Sequence, residues 1–184
     1  MSNKYIKLAT IAGVVVLFIV MVTSIFSGNY NRVVSLEENI NNSNSNISKE
    51  EKRRIDLFNN IADAVQSYNQ FEQSTLEKII QARQQANGGQ IENAQLTLSA
   101  VVEQYPQLKS QENYKQAILE FSITENRMAG YREQYNNDVR GYNKKVRSFP
   151  SNITLSIIGY QKQDFKYLDY DTKDGNHRDL FKLQ

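Results

Sequence analysis

Cysteine and tryptophan are missing altogether from this 184-residue chain, histidine occurs once and proline twice. Without cysteine there are no disulfides, no thiolate metal ligands, no cysteine nucleophile and no acceptor for lipoprotein acylation. The one histidine, His177, falls in a turn-like stretch near the C-terminus. A zinc site or a Ser-His-Asp relay would have to rest on that single ring, which argues against both. The formal charge is only +2, too slight to suggest a nucleic-acid partner. Both prolines, Pro106 and Pro150, fall where helical patterns end, and there the lost backbone donor costs little.

The hydrophobic content is unevenly spread. Lys4 and Lys7 precede Leu8–Phe26, nineteen residues without a charge and rich in Val, Ile, Leu and Phe. At about 1.5 Å per residue that run spans roughly 28 Å, close to the hydrocarbon thickness of a bilayer. A cleaved signal peptide has a shorter apolar region, about 7 to 15 residues, and an A-x-A-like site. Thr23-Ser24-Ile25-Phe26-Ser27-Gly28 matches such a site poorly, so a retained single-pass anchor over residues 8–27 is the expectation. The flanking lysines favour leaving residues 1–7 in the cytoplasm, with the rest of the chain outside it. That places the protein in a cell membrane, with its remaining residues on the side away from the cytoplasm. Through 8–27 its first partner is the lipid bilayer.

After a possible soft joint at Gly28-Asn29, one helical period dominates. Val33, Leu36, Ile40, Ser43, Ile47, Glu50, Arg54, Leu57, Ile61, Ala64 and Tyr68 keep a three-four spacing. Residues 39–48 are mostly asparagine and serine, weak helix formers. Leu36, Ile40 and Ile47 nevertheless stay in phase, which predicts a helix there, and its least stable part. The face continues through Phe71, Leu76, Ile79 and Ala82 to Ala86, with a possible bend near Asn69, and stops at Asn87-Gly88-Gly89. Ile91, Ala94, Leu98, Val101 and Tyr105 form a short amphipathic helix ending at Pro106.

The longest stripe runs from Tyr114 through Ile118, Phe121, Glu125, Met128, Arg132, Tyr135, Val139, Tyr142 and Val146 to Phe149. Steps of four and three make it one helix face, built to pack on other helices. Ile153, Leu155, Ile157 and Ile158 follow Pro150 as a compact apolar patch. A lone strand there would lack a partner, which favours a short closing helix. Residues 161–184 read as a mobile tail. The pattern predicts an all-α protein, with a membrane helix followed by an antiparallel four-helix-bundle-like domain over residues 29–160.

Glu125 and Arg132 sit in the middle of the longest stripe, and Glu50 and Arg54 lie on the face of the first helix. A charge on a packing face needs a partner or a path to water. An arginine on one helix facing a carboxylate on another would satisfy both, giving an internal polar layer that sets helix register. Glu50, Arg54, Glu72, Glu125 and Arg132 are its predicted members. The alternative for Glu50 and Arg54 is a solvated i, i+4 pair. The eleven tyrosines and eight phenylalanines are expected mainly in the core, Tyr135 and Tyr142 above all. The alternative is an aromatic surface for a partner or for lipid headgroups.

Chemistry finds little support. Di-metal helical bundles use paired Glu-x-x-His motifs, which are missing here, and Gly88-Gly89 is a helix stop without a P-loop pattern. No cofactor, metal ligand or catalytic residue is predicted, and a hydrolase built on Glu72 and Glu125 is the remote alternative.

Several words in one order resemble the LemA family of bacterial membrane-anchored helical proteins. Tyr30-Asn31-Arg32-Val33-Val34 looks like the family's Tyr-Asn-x-Leu-Val. The likeness continues through Lys52-Arg53-Arg54-Ile55-Asp56-Leu57, Asn60, Glu72 and Ala82-Arg83. It is densest at Glu103-x-Tyr105-Pro106-x-Leu108-Lys109, Glu125-Asn126-Arg127, Tyr135-Asn136, Tyr142-Asn143 and Phe149-Pro150-Ser151-Asn152. It covers residues 5 to 160 approximately. Asn44 stands where the family usually has tryptophan, which implies weaker packing in the asparagine-serine tract, and Asn59 stands where it has proline, which implies a straighter first helix here. The resemblance implies a four-helix bundle on one membrane helix and no particular reaction. LemA-like proteins are often encoded beside other envelope proteins, including ones with TPM domains, which hints at a scaffold or adaptor. The expected function is therefore a non-enzymatic envelope adaptor that binds a protein partner. The alternative is a self-associating structural assembly.

Overall fold

The computed structural model describes residues 3–68 and 71–169, and every regular element among them is helical. Helix α1 is Asn3–Gln66, α2 Gln73–Asn87, α3 Ile91–Gln104, α4 Glu112–Arg147 and α5 Ser151–Ile157, with a short 3-10 turn at Pro106–Ser110. The chain divides into two compact units. One combines residues 1–43 with 134–167, and the other is built mainly from residues 44–133.

In the second unit, four helical segments enclose one core: residues 44–66 of α1, α2, α3, and residues 112–133 of α4. Leu57, Phe58, Ile61 and Val65 meet Ile79, Ala82 and Ala86, then Ile91, Leu98 and Val101, then Tyr114, Ile118 and Phe121. All but Phe58 and Val65 are positions the three-four spacing places on inner faces, and those two widen the buried arc of α1. Burial pushes the Tyr114 hydroxyl up to about 12.

The bend expected near Asn69 falls on a position outside the described residues; before it α1 stops at Gln66 and after it α2 starts at Gln73, so one helix does not continue from α1 into α2. Asp63 and Gln66 both meet Arg83, while Asn59 meets Asn87, so α2 runs back antiparallel along α1. Tyr68, Phe71 and Tyr105 stack edge to face at the corner, with centroids 4.8–6.3 Å apart. Edge-to-face contacts of this kind stabilise the corner. The stop after α2 is the one foreseen. Gly89 adopts φ +79°, a left-handed conformation that glycine enters without a side-chain clash.

In the first unit, residues 3–43 of α1 run without interruption through Gly28 and Asn29, so the expected soft joint is helical. Both residues have helix on either side, and Asn29 is held by side-chain bonds. The asparagine-serine tract is helical too, because Ile40 and Ile47 are buried in phase with Val33 and Leu57. Asn59, in place of a proline, lies inside unbroken helix.

Residues 134–147 of α4 run antiparallel to α1 within the first unit, and α5 follows. Val33, Ile40, Val139, Tyr142, Val146 and Leu155 form its core, with Leu36, Tyr135, Tyr160 and Phe165 packed against them. Phe149 departs from expectation. The helix ends at Arg147, and Phe149 is 79% exposed beyond it. Residues 161–165 also depart from the predicted mobile tail, since Phe165 lies edge-on to Tyr142 at 5.1 Å. Residues 170–184, including His177 and the turn expected around it, lie outside the described residues.

Candidate functional site

The second unit carries the polar layer. Arg54 reaches two carboxylates: its Nε donates to Glu125 on α4, and its Nη1 donates to Glu92 on α3 at 3.1 Å. Its side chain is 13% exposed, against 36% for Glu125 and 46% for Glu92. The guanidinium carbon stands 6.0 Å from the Phe121 ring centre. One buried cation is thus shared by two acids that keep contact with water, and it is further held over an aromatic face. Arg132 pairs with Glu51 at 3.9 Å, and both are substantially exposed. Arg83 pairs with Asp63.

The predicted members separate. Arg54 and Glu125 come together. Arg132 takes the neighbouring Glu51, while the buried Glu50 has one carboxylate oxygen without a hydrogen-bond partner among the described residues. Glu72 stands apart, because the chain reversal places it exposed at the start of α2, where its carbonyl accepts from the Thr75 and Leu76 amides. It shares no helix phase with Arg54, so it is not part of the layer. Glu92 was not foreseen. Its only sequence signal is its place beside buried Ile91 in the first turn of α3.

The family-like motif residues serve different ends. Tyr105 belongs to the aromatic corner, and Pro106 begins the 3-10 turn. Arg53, Asp56 and Asn60 are exposed on α1. Asn60 lines an open groove of about 350 Å³ with Leu57, Asp63, Ala64, Asn113 and Glu120. On α4, Asn126 and Arg127 are exposed and share an outward face with Leu119 and Ile123, which lie 59% and 42% exposed. Positions 119, 123, 126 and 127 are one helical stripe.

The first unit holds a directed chain of hydrogen bonds. The Gln163 amide donates to the Tyr142 hydroxyl at 2.8 Å. Tyr142 lies 2.7 Å from the Tyr160 hydroxyl, and Tyr160 donates to Glu37. Burial, and then the Glu37 carboxylate, push the Tyr160 hydroxyl well above its ordinary range, so it stays protonated and donates. Ser43 donates to Asp138 at 2.6 Å, and Gln134 donates to the same carboxylate at 2.9 Å. Motif residue Tyr135 packs on this unit's core, with Asn136 half-buried beside it. Replacing Tyr142 by Phe keeps the ring but breaks the chain at its centre. We expect about 1 kcal/mol of lost stability and faster hydrogen exchange at the Gln163 amide. Unchanged exchange there would show that the chain does not hold residues 160–165.

Among the described residues no group of three or more His, Asp or Glu is placed to hold a metal. The arrangement offers paired charges, an outward stripe and an open groove.

A profile of the LemA family matches residues 43–176. The chain belongs to the LemA family. It is 26% identical over 181 residues to Protein LemA of Metamycoplasma hominis, an alignment spanning 86% of this chain and 83% of that protein. A shorter stretch of 80 residues, 44% of this chain, is 36% identical to Magnetosome protein MamQ 2 of Paramagnetospirillum magneticum. The same length is 32% identical to Magnetosome protein MamQ of Magnetospirillum gryphiswaldense. The alignments span 29% of either MamQ protein, so those likenesses concern a part of them. In this LemA-family chain, α1 includes a segment long and apolar enough to cross a membrane, none of it buried within the protein. Family and segment together support a membrane-associated helical protein.

Proposed function

We propose that this LemA-family chain is a non-enzymatic, membrane-anchored scaffold or adaptor of the bacterial envelope. Residues 8–27 span the inner membrane, with the N-terminus in the cytoplasm, and the helical domain recruits a protein partner on the periplasmic side. The observation that carries this reading is how the second unit disposes of its polar and apolar groups. Arg54, Arg83 and Arg132 are paired with acids of the same unit, whereas Leu119 and Ile123 stand exposed one turn apart beside Asn126 and Arg127. Charges neutralised internally and an apolar pair ringed by polar groups suit recognition of a protein surface rather than turnover of a small substrate.

A photo-crosslinking residue at Ser122, exposed on α4 between Leu119 and Ile123, tests it in native membranes. We expect one specific protein adduct, lost when Leu119 and Ile123 are both changed to Glu. Adducts containing only this chain would favour the self-associating assembly instead. A variant that folds and still captures the same partner would remove the stripe from the interface.

A further inference from the structure

Helix α5 is amphipathic the wrong way round for water. Ser151, Thr154 and Leu155 face inward, while Ile153, Ile157 and Ile158 are exposed, Ile153 by 50% and Ile157 by 67%. Phe149, four residues before Ile153, extends the same exposed line. The buried hydroxyls are satisfied. Ser151 donates to the Asn29 side chain at 3.0 Å, and Thr154 donates to the Ser151 carbonyl at 3.0 Å. The isoleucines face outward while small polar groups take the interior, so the exposed line has its own environment to meet.

The position of α5 identifies that environment. Asn29 also accepts from Lys145 Nζ at 2.8 Å, so the end of α4 and the start of α5 are both fastened to it. Asn29 lies three residues past Phe26, about 4.5 Å along the helix axis from the end of the apolar run. Phe149 and α5 therefore sit at the level where α1 leaves the hydrocarbon. The charges agree. Between Asp138 and Asp164 the chain carries Arg140, Lys144, Lys145, Arg147 and Lys162 and not one acidic residue. Lys144 and Arg147 are exposed at the C-terminal end of α4.

We propose that Phe149 and α5 form a second, interfacial membrane contact. Phe149, Ile153 and Ile157 enter the boundary between headgroups and acyl chains, and Lys144 and Arg147 lie among anionic headgroups. Apolar side chains beside basic ones are the composition of a helix lying in the interface plane. A second copy of this chain fits less well, because a two-fold contact through the patch would set its basic residues against each other. The contact fixes the anchored unit at two points, so that it cannot swing freely about α1.

The inference rests on the reading that residues 8–27 cross a bilayer, and one experiment separates the two. The chain has no cysteine, which permits single-cysteine variants at Phe149, Ile153, Ile157, Val16 and the exposed Glu38. Each full-length variant carries an environment-sensitive fluorophore in vesicles of phosphatidylcholine with phosphatidylglycerol, to which nitroxide lipids are added. At an interfacial depth of about 5–10 Å, labels at 149, 153 and 157 are blue-shifted and quenched more by shallow nitroxides than by deep ones. The label at Val16 is quenched best by the deep nitroxide, and that at Glu38 by neither. Labels at 153 and 157 behaving like the Glu38 label, with Val16 still quenched, would overturn the interfacial contact alone. Blue-shifted but unquenched labels would assign the patch to protein, and also overturn it. An unquenched Val16 label would overturn the anchor and this inference with it.

Discussion

Replacing Phe58 by Ala is expected to cost about 3–5 kcal/mol. Phe58 is fully buried on α1 and meets Phe121 of α4 edge to face, with centroids 6.5 Å apart. Its neighbours Ile61, Ile79, Leu98 and Val101 are each at most 1% exposed, so no side chain has slack to fill the space left behind. The cost therefore combines lost transfer energy with an unfilled cavity. A domain of ordinary stability holds about 5–15 kcal/mol in all, so the variant should lose a large part of it. For a unit of this size the midpoint of thermal unfolding should fall by about 10 °C or more, read by circular dichroism in detergent. Phe149 supplies the control. It is the same residue type, but 79% exposed, and in detergent its replacement by Ala should leave the midpoint nearly unchanged. Equal losses from the two variants would mean that the core does not lie where α1 and α4 place it.

The contrast between these two phenylalanines marks how far the sequence could be read. Phe58 is absent from the α1 stripe that the strict spacing traced, which passed through its neighbour Leu57, because four packed helices bury a wider arc than one line of positions. Phe149 keeps perfect spacing yet lies past the helix end, since periodicity continues to count after the helix has stopped at Arg147. The asparagine-serine tract illustrates the opposite case. There local preference opposed helix, and two buried isoleucines in phase decided it. The end of α1 at Gln66 had no proline or glycine nearby to announce it, and three rings meet where the chain reverses. That reversal is also why Glu72 was misplaced, for its assignment assumed a continuing phase. Arg54 and Glu125 were legible because charges on two packing faces need each other. Glu92 was not, because a partly exposed acid in the first turn of a helix looks the same whether or not an arginine reaches it.

The sharing of Arg54 between two acids predicts an asymmetry in what its loss does. Changing Arg54 to Met keeps much of the stem packed near Phe121 but removes the positive charge that joins Glu125 to Glu92. Two carboxylates then face one apolar side chain, each with a hydrogen-bond donor lost. Because both keep contact with water, the penalty is below that of a fully buried charge, and about 2–3 kcal/mol is expected. Changing Glu125 to Gln is milder. Its side-chain oxygen still accepts from Nε, Glu92 still neutralises the guanidinium, and the expected loss is about 1 kcal/mol or less. The pair is in contact, so the double variant should lose less than the two single losses added together, with a coupling of about 0.5–2 kcal/mol. Urea unfolding of the four proteins measures all of this. Strictly additive losses would show that Arg54 and Glu125 do not act on each other. The same Glu125→Gln variant also separates a structural role from a chemical one. Full stability with loss of a catalytic turnover would favour Glu125 as a reacting group. A small stability loss with function kept leaves it as part of what sets helix α4 against α1 and α3 in the second unit.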